Sequence, residues 1–425
     1  MCNSFCLVVA HMRKWRFDLE VLTPMFVSGC QQSVSEIRSS SIRGELRYWF
    51  RALAGPCVGY DIELLRDLEG RVFGDTQRAS RFVLRIHSVS ARPLKGPRTL
   101  SSGLAYLGYG PITYVRQQRG NVPVRGVLGP GTRCKLEVLF RPPADEATMR
   151  GLAATFWVWG NLGGLGARAR RGFGSVRLTA EDIAPIVWVT AVPASGSLHD
   201  EARTLAAGLA EARKALDGLT QLTQRRARSE SPEAHREHSP SFFVLDAKYC
   251  DIHMAEVAST SWSETLDAFG EYLKAFRAER REDTRLVLDF LDGSFADRRV
   301  CERTVNRASF GLPVGFYFPR RRAKAALVGS IETEGTHGRK EITRRASPLM
   351  IRISSHFPSQ EGTCRMVIVH SRIALLPEKG RLMLQGLQPH RPPLDLTGEP
   401  ADLVTAFLAQ LAKGLPAKVE QVVLP

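Results

Sequence analysis

Glycine and arginine residues are interleaved in residues 163–175, and this combination suits the binding of phosphate groups. Glycine permits positive φ angles and a close approach of another backbone. Arginine donates paired hydrogen bonds to phosphate oxygens, and exposed amides donate to the same oxygens. The simpler interpretation is a tight helix-to-strand connection with solvated arginines, although a turn needs only about one or two glycines. The residues expected to contact phosphate here are Gly163, Gly164, Gly166, Arg168, Arg170, Arg171 and Gly172.

Two better-known glycine motifs do not fit this segment. It has no Gly-Lys-Ser or Gly-Lys-Thr ending, which excludes a nucleotide P-loop. The dinucleotide fingerprint opens a helix after a strand, whereas residues 163–175 follow a predicted helix and precede a predicted strand. The phosphates are therefore expected to belong to a polynucleotide.

A second group of arginines recurs at every fourth residue of a predicted helix, beside an apolar stripe within residues 42–53. Like charges at this spacing repel one another, so a bound polyanion would explain their presence. An ordinary solvated basic face is the alternative, and only Glu45 is near enough in the sequence to neutralise the charges. The phosphate contacts expected from this region are Arg38, Ser41, Arg43, Arg47 and Arg51.

Acid–base catalysis most often uses histidines or carboxylates. His11 and His87 lie close to predicted strands of the basic half and are the serious candidates, but neither belongs to a motif. Asp18 alternates with apolar neighbours, as the polar face of a strand does. No carboxylate pair, nucleophile elbow or Cys/His spacing typical of a metal site is apparent. We therefore expect no catalysis, no metal and no other cofactor.

Composition predicts two domains and a nucleic-acid partner. The chain has 425 residues, of which 44% are hydrophobic, and a formal net charge of +16. Residues 1–180 contain 26 Lys and Arg against 12 Asp and Glu, whereas residues 241–425 contain 26 against 22. A basic domain beside a nearly neutral one is typical of nucleic-acid binding. The lower charge of the second domain suggests that it contacts protein instead.

The remaining composition favours a cytoplasmic protein. No run approaches the ~20 apolar residues of a membrane-spanning helix, and the apolar start lacks the charge order of a signal peptide. Eight cysteines are scattered without a CxxC pair, as expected in a reducing compartment.

These residues must be positioned by an α+β fold. Strands are predicted at 16–23, 81–89, 133–140 and 176–179, with helices at 41–54 and 145–161. Ser41 is the predicted N-cap of the first helix, with Glu45 in its first turn. The order β-α-β-β-α-β is that of a ferredoxin-like fold, assigned here to residues 1–184. A long Gly, Pro and Tyr-rich loop is expected at 93–130.

A helical, charged linker is predicted over residues 185–240, with its helix at 198–222. Residues 241–425 are interpreted as a second, more decorated copy of the same fold, with antiparallel sheets that carry helices on one face. Helices are predicted there at 263–281 and 402–411. The predicted strands are 242–245, 285–290, 315–318, 348–353 and 364–370.

Several motifs together resemble the RAMP superfamily of CRISPR effector proteins, and within it the first subunits of the Cmr complex, the type III-B effector. In the first half the resemblance lies in Thr23-Pro24, Gly29, the run Glu36–Leu53, Glu69–Gly74 with Ser80, and the glycine pattern Gly164–Gly174. In the second half it lies in Phe310–Pro313 and Arg344–Leu349. Two positions depart from the family pattern: Ala169 replaces a serine and Glu45 replaces a small residue.

The resemblance implies two ferredoxin-like (RRM-like) RAMP domains in tandem and a subunit that binds RNA without cutting it. It also implies a place near the 3′ end of the guide RNA, at the end of the filament away from the polymerase-like subunit. The implied partners are guide RNA, complementary target RNA and other RAMP subunits in antiviral defence. Which nucleotides this subunit contacts, and on which strand, is left open.

Two alternatives remain from the residues themselves. One is a guide-processing endoribonuclease of the same superfamily that uses His11 or His87. The other is a general single-strand binder whose aromatic side chains stack on bases. The candidate stacking residues are Tyr48, Trp49, Tyr106, Tyr109 and Tyr114.

Overall fold

The computed structural model describes residues 13–94, 99–141, 144–182, 196–221, 239–332, 339–354, 356–357 and 362–425. We call residues 13–182 the first half and residues 239–425 the second half. The elements of the first half are β1 (Lys14–Val21), β2 (Met25–Phe26), α1 (Ser39–Ala54), α2 (Ile62–Phe73), β3 (Phe82–Ser90), α3 (Ser102–Leu107), β4 (Ile112–Val115), β5 (Gly120–Pro123), β6 (Val127–Leu128), β7 (Arg133–Phe140), α4 (Glu146–Leu162) and β8 (Val176–Asp182).

Helix α5 (Leu198–Lys214) lies between the halves in the chain. The elements of the second half are β9 (Cys250–Val257), α6 (Trp262–Ala278), α7 (Arg281–Leu291), β10 (Val300–Cys301), β11 (Val314–Phe318), β12 (Ala323–Glu332), β13 (Arg339–Ile342), β14 (Leu349–Ile353), β15 (Cys364–Ser371), β16 (Gly380–Gln388), β17 (His390–Leu396), α8 (Leu403–Ala409), α9 (Leu411–Gly414) and β18 (Ala417–Val422).

The main sheet of the first half has the strand order β3-β7-β1-β8, and all neighbouring strands are antiparallel. Alternate residues of β1, among them Phe17 and Leu19, are buried against α1 and α4, while the residues between them lie on the polar face. This alternation is the expected pattern for a sheet covered on one side. The helices therefore cover one face of this sheet, as predicted.

The second half contains a sheet of order β14-β15-β9-β18, again antiparallel throughout. Met254 and Val367 on one face pack with the helices of the first half and with α5. Ile351 and Ile368 on the other face pack against α6 and α8. The prediction of helices on one face is wrong for this sheet, because the two halves share a core across it.

A further sheet, of order β10-β17-β16-β12-β11 with β13 beside β12, is inserted in the second half. It packs on α7 and encloses a separate core that includes Leu327 and Leu384. Nothing in the predicted element order indicated this insertion. It separates β9 and α6 from β14 in the chain, and a second part of it lies between β15 and α8.

The α+β class with antiparallel sheets is confirmed. The four predicted strands and two helices of the first half are present with small shifts in their ends. The predicted N-cap at Ser41 is wrong: α1 begins at Ser39 with Arg38 at the N-cap position, and Glu45 lies beyond the first turn. The expected loop at 93–130 contains α3, β6 and the β4–β5 hairpin. The boundaries of the predicted domains stay predictions, and the first lies outside the described residues.

Two predicted strands of the second half are wrong. Residues 242–245 are irregular. Residues 285–290 belong to α7, where Leu286 and Phe290 are buried one helical turn apart. Helix α7 carries Glu282 and Asp283 in its first turn, which favours a helix. The apolar run alone does not distinguish a short strand from a buried helix.

Candidate nucleic-acid interface

The glycine-rich segment, residues 163–175, joins α4 to β8 and is bonded to both halves. The amide of Ala167 donates to the carbonyl of Phe26 at 2.8 Å, and that of Gly172 donates to the carbonyl of Ile351 at 2.9 Å. These amides are therefore used inside the molecule. The expectation that the segment presents bare amides to phosphate is wrong at these positions.

Close packing explains why two positions of the glycine-rich segment are occupied by glycine. Gly166 and Gly172 have φ angles of 95° and 86°, a region that side chains rarely adopt. A Cβ atom at Gly166 would lie 2.5 Å from the carbonyl oxygen of Phe26, and one at Gly172 would lie 2.4 Å from Leu266. At these two positions the simpler interpretation, a tight connection, accounts for the residue type.

A buried arginine of the second half holds both ends of this segment. Arg352 is 1% exposed. Its Nη1 atom donates to the carbonyls of Gly160 and Gly163 at 2.5 and 3.0 Å, and its Nη2 atom donates to that of Val176 at 2.7 Å. Burial lowers the pKa of Arg352 to about 9. This side chain fixes the end of α4 relative to the start of β8.

The arginines of α1 contact their own chain. Arg51 donates to both carboxylate oxygens of Glu69, at 2.9 and 3.2 Å, and Arg47 lies 3.4 Å from the same carboxylate. Arg43 donates to the carbonyl of Phe73 at 3.1 Å. The expectation that only a residue of α1 itself neutralises these charges is wrong, because α2 supplies Glu69.

A cavity of about 1340 Å³ opens between the two halves. We call it the central cleft. Its wall is formed by one face of α1, the glycine-rich segment, the end of α6 and two segments around residues 307–315 and 344–347, the first of which leads into β11. Its charged lining residues are Glu45, Arg168, Arg170, Arg171, Lys274, Arg277, Arg307, Arg344 and Arg345.

Eight of these nine charged residues are cations, and Glu45 is the single carboxylate among the described residues that line the cleft. A concave surface of one charge sign concentrates its field and attracts oppositely charged ligands. The cleft is therefore suited to a polyanion.

Three of the cleft arginines have unused donors. Within the described parts of the chain, the side chains of Arg170, Arg171 and Arg344 donate to no acceptor, and no carboxylate lies within 4 Å of them. The guanidinium of Arg170 lies 4.6 Å from the ring centroid of Tyr48, a cation–π contact that orients it. These groups are free to donate to a ligand.

The other arginines of the cleft are oriented by contacts with their own chain. Arg168 donates from Nε to the carbonyl of Tyr109 at 2.7 Å. Arg277 donates to the hydroxyl of Tyr106 at 2.8 Å. These bonds hold the guanidinium groups in place and leave part of each donor set unused.

Burial makes these charges costly. It lowers the pKa of Arg171 to about 10, and the neighbouring charge of Arg277 lowers it further in the same direction. Burial is also the main cause that lowers the pKa of Arg168 and of Arg307. A bound anion would offset this cost, which is why such groups mark candidate binding sites.

Comparison with known proteins assigns the chain to a family. The model of the RAMP superfamily matches residues 18–177. CRISPR system Cmr subunit Cmr1-2 of Pyrococcus furiosus is 32% identical over 177 residues, which cover 38% of this chain and 93% of that protein. The chain is a Cmr1-like member of the RAMP superfamily.

Two further matches extend this result. Cmr subunit Cmr1-1 of the same organism is 34% identical over 164 residues, which span 38% of the Cmr1-like chain but less than half, 43%, of that relative. The crystal structure of Cmr1 from P. furiosus in its apo form matches 97% of this chain and 99% of its own, with a TM-score of 0.54 and 18% identity. At that identity the structural match shows a shared fold.

The structure separates the predicted site residues of this Cmr1-like chain into two groups. Six of them line the central cleft, and six lie outside it. Arg38 is exposed at the N-cap of α1, Ser41 lies in the first turn, and Gly172 is buried against Leu266. Those in the cleft are Gly163, Gly164, Gly166, Arg168, Arg170 and Arg171; those outside are Arg38, Ser41, Arg43, Arg47, Arg51 and Gly172.

Sequence reasoning missed the contribution of the second half. The cations that it brings to the cleft are concentrated at one place, so the net charge of the half does not reveal them. The signal that could have found them is the pair of family-like motifs, Phe310–Pro313 and Arg344–Leu349, because both contribute to the wall. The missed residues are Lys274, Arg277, Arg307, Arg344 and Arg345.

Four of the five candidate stacking aromatics, Tyr48, Trp49, Tyr106 and Tyr109, line the cleft. Tyr109 is the most exposed of them, at 74%, whereas Trp49 is buried. Tyr114 lies on β4 outside the cleft.

The catalytic candidates lie elsewhere. His87 is on β3, where its Nε2 atom is 3.4 Å from Glu137, and no histidine is among the described residues of the cleft lining. His11 lies outside the described residues. His370, in an adjoining cavity, is 3% exposed and faces Asp251.

The described residues contain no group of three or more His, Cys, Asp or Glu side chains that could hold a metal ion. None of their helices combines the length and the apolar composition needed to span a bilayer.

Proposed function

We propose that this chain is a non-catalytic, RNA-binding subunit of a type III-B CRISPR ribonucleoprotein, and that the RNA backbone lies in the central cleft. The observation that carries the proposal is the cleft itself, where eight cations from both halves face one carboxylate. The curated relatives are named as subunits of the CRISPR Cmr system. These names support the same assembly for this chain.

The finer points of the proposal follow from the resemblance. The subunit contacts guide RNA near its 3′ end, target RNA, or both, and caps one end of the filament in the cytoplasm. Its partners are the other RAMP subunits of the complex.

We also infer that the two four-stranded sheets are ferredoxin-like units in tandem. Numbered along the chain within each half, both have the order 2-3-1-4. A β-α-β-β-α-β unit produces this order when its four strands pair antiparallel. The remaining sheet is then an insertion into the second unit.

The unused donors in the cleft are guanidinium groups, and this donor type favours contact with the RNA backbone. Arginine guanidinium groups bind phosphates in a paired geometry and carry no base preference of their own. Arg170, Arg171 and Arg344 lie on the wall of one cleft, so one strand that follows it can meet them in turn. Binding should therefore weaken with salt, by about 0.7 log unit per phosphate contact and per log unit of salt for a single strand.

The absence of cleavage is part of the same proposal. A general base must lie within hydrogen-bond reach of the proton that it removes. The histidine candidate that the structure describes, His87, is on the polar face of the first sheet and pairs with Glu137. The endoribonuclease alternative predicts metal-free cleavage of a repeat RNA by the purified chain, and its detection would replace the non-catalytic assignment.

RNA binding by the full chain tests the site. Arg344→Ala removes an exposed arginine of the cleft, and Arg285→Ala removes an exposed arginine of α7, outside it; neither has a partner in the described residues. We expect Arg344→Ala to weaken binding of single-stranded RNA about tenfold and to reduce the salt dependence by about one phosphate contact. Arg285→Ala should bind as the wild type does. Equal losses in both variants would overturn the cleft assignment.

Recovery from the native host tests the assembly. The tagged chain should bring with it repeat-and-spacer guide RNAs and a set of RAMP subunits. Recovery of the chain alone, or with random transcripts, would contradict the effector-subunit role. That outcome would favour the general single-strand binder, a function consistent with the exposed ring of Tyr109 in the cleft.

A further inference from the structure

Glu45 is a carboxylate in a cleft built for anions. It projects from α1 and lines the central cleft together with eight cations. In the described parts of the chain, no donor bonds to its carboxylate and no cation lies within 4 Å of it. The nearby charge of Arg170 acts on it without forming an ion pair. Its oxygens are therefore available to a ligand.

A phosphate is an unfavourable neighbour for this group. Two anions held close together repel each other, and the repulsion grows where water is partly excluded. A carboxylate in a strand-binding cleft instead accepts hydrogen bonds from N–H groups, and the exposed edges of unpaired bases carry them. Glu45 thus marks a position in the cleft where a base edge is favoured over a phosphate.

We propose that Glu45 determines base specificity in the central cleft by accepting hydrogen bonds from the Watson–Crick edge of one unpaired guanine. The inference rests on the proposed RNA-binding function and deepens it. Guanine presents two adjacent N–H donors, N1–H and N2–H, which match the two oxygens of a carboxylate. Adenine and cytosine place a ring acceptor beside their amino group, and uracil places its N3–H between two carbonyls, so each of these bases opposes the carboxylate with a lone pair.

A surface for the base lies beside Glu45. Tyr48 is three residues further along α1, and residues at this spacing are neighbours on a helix. One face of the Tyr48 ring carries the guanidinium of Arg170 at 4.6 Å, and Phe243 is parallel to the ring with centroids 5.8 Å apart. Arginine planes stack on unpaired bases. A base that stacks on Arg170 lies beside α1 and can present its edge to Glu45.

The test compares four RNAs of about 12 nucleotides, uridine throughout except for one central position that is guanosine, inosine, adenosine or uridine. Inosine lacks only the N2 amino group. At pH 8, where Glu45 is mainly ionised, the full wild-type chain should bind the guanosine RNA about tenfold tighter than the inosine RNA, as expected for one good bidentate base contact. Glu45→Gln, which retains one acceptor oxygen, should reduce this ratio to about twofold. Glu63→Gln, an exposed carboxylate of α2, should retain the wild-type ratio.

The possible outcomes distinguish failure of the base-specificity inference from failure of the proposed RNA-binding function. If Glu45→Gln and Glu45→Ala tighten all four RNAs by one common factor, Glu45 only repels phosphate, and the base-specificity inference is overturned while the RNA-binding function stands. The same conclusion follows if the wild type binds all four RNAs equally. If the folded wild type binds none of them, the proposed function fails, and the inference fails with it.

Discussion

The arginines of α1 and those of the central cleft have similar sequence signatures and different surroundings. Arg51 and Arg47 share the carboxylate of Glu69. Arg170 and Arg171 have no carboxylate within 4 Å in the described residues. The regular spacing on α1 thus arises from contacts within the first half, which dock α1 against α2. The difference shows that the partners of an arginine, and not its spacing, distinguish a structural side chain from a binding one.

Arg352 is a buried arginine that bonds only within the protein, and its replacement should have the largest effect. Arg352→Met removes the donors to the carbonyls of Gly160, Gly163 and Val176 and leaves those carbonyls buried. We expect a loss of about 4 kcal/mol in the free energy of unfolding, measured by urea denaturation of the full chain. Arg344→Met should change it little, because that side chain is exposed. A loss below about 1 kcal/mol for Arg352→Met would contradict the structural role.

Replacement of the cleft arginines should lower the affinity for RNA instead of the stability of the fold. We expect the double variant Arg170→Ala/Arg171→Ala to bind single-stranded RNA about a hundredfold more weakly, about 3 kcal/mol for two charge-assisted contacts. Its stability should not fall, because burial and the charge of Arg277 already disfavour the charged form of Arg171. Fluorescence anisotropy and a thermal melt measure the two effects. A large loss of stability with unchanged affinity would place these arginines in the structural class.

For the arginines of α1 we expect the reverse: their replacement should lower the stability of the fold and leave RNA affinity nearly unchanged. The loss of stability should be smaller than that for Arg352→Met. Arg47→Ala/Arg51→Ala leaves the carboxylate of Glu69, largely buried at 13% exposure, without its cations. We expect about 2 kcal/mol lower stability, since the arginines are themselves partly exposed and solvent screens the pairs. RNA affinity should change less than about threefold. An affinity loss as large as that of the cleft variant would return α1 to the phosphate-binding surface.

The sequence predicted the main sheet of the first half and its helices α1 and α4 well, because these elements follow simple periods. β7 was placed at its observed bounds, and α4 begins after Asp145, whose carboxylate caps it as an N-terminal acid does. β9 was missed because Asp251, His253 and Glu256 interrupt its apolar residues, although both faces of its sheet are buried. A strand covered on both faces lacks the alternation that marks a half-buried one.

The cleft could be predicted only in part for a related reason. Its glycine-rich wall is continuous in the sequence, whereas Arg277 and Arg344 reach it from segments that the inserted sheet separates. The role of Glu69 was missed because α2 itself was not predicted. Contacts between distant segments depend on tertiary packing, which neither periodicity nor regional charge encodes.

The smallest predicted effect concerns Glu45, whose carboxylate lines the central cleft and has no hydrogen-bond or ion-pair partner among the described residues. Burial raises its pKa to about 7, opposed by the charge of Arg170. A carboxyl group whose pKa is higher in the folded state binds its proton more tightly there, so its contribution to stability falls as the pH rises from about 4.5 to about 7. Near pH 7 the group is therefore partly protonated, and at pH 8 it is mainly the carboxylate that the base contact requires.

Glu45→Gln removes this titration, so its effect should depend on pH. At pH 5 the variant should match the wild type, because the folded carboxyl is already protonated. At pH 8 it should be more stable by about 1 kcal/mol, a value reduced for partial exposure of the side chain. Urea denaturation at both pH values measures the difference, with Glu63→Gln, at an exposed residue of α2, as the control. A variant less stable than the wild type at pH 8 would mean that Glu45 holds Arg170, and would move both residues into the structural class.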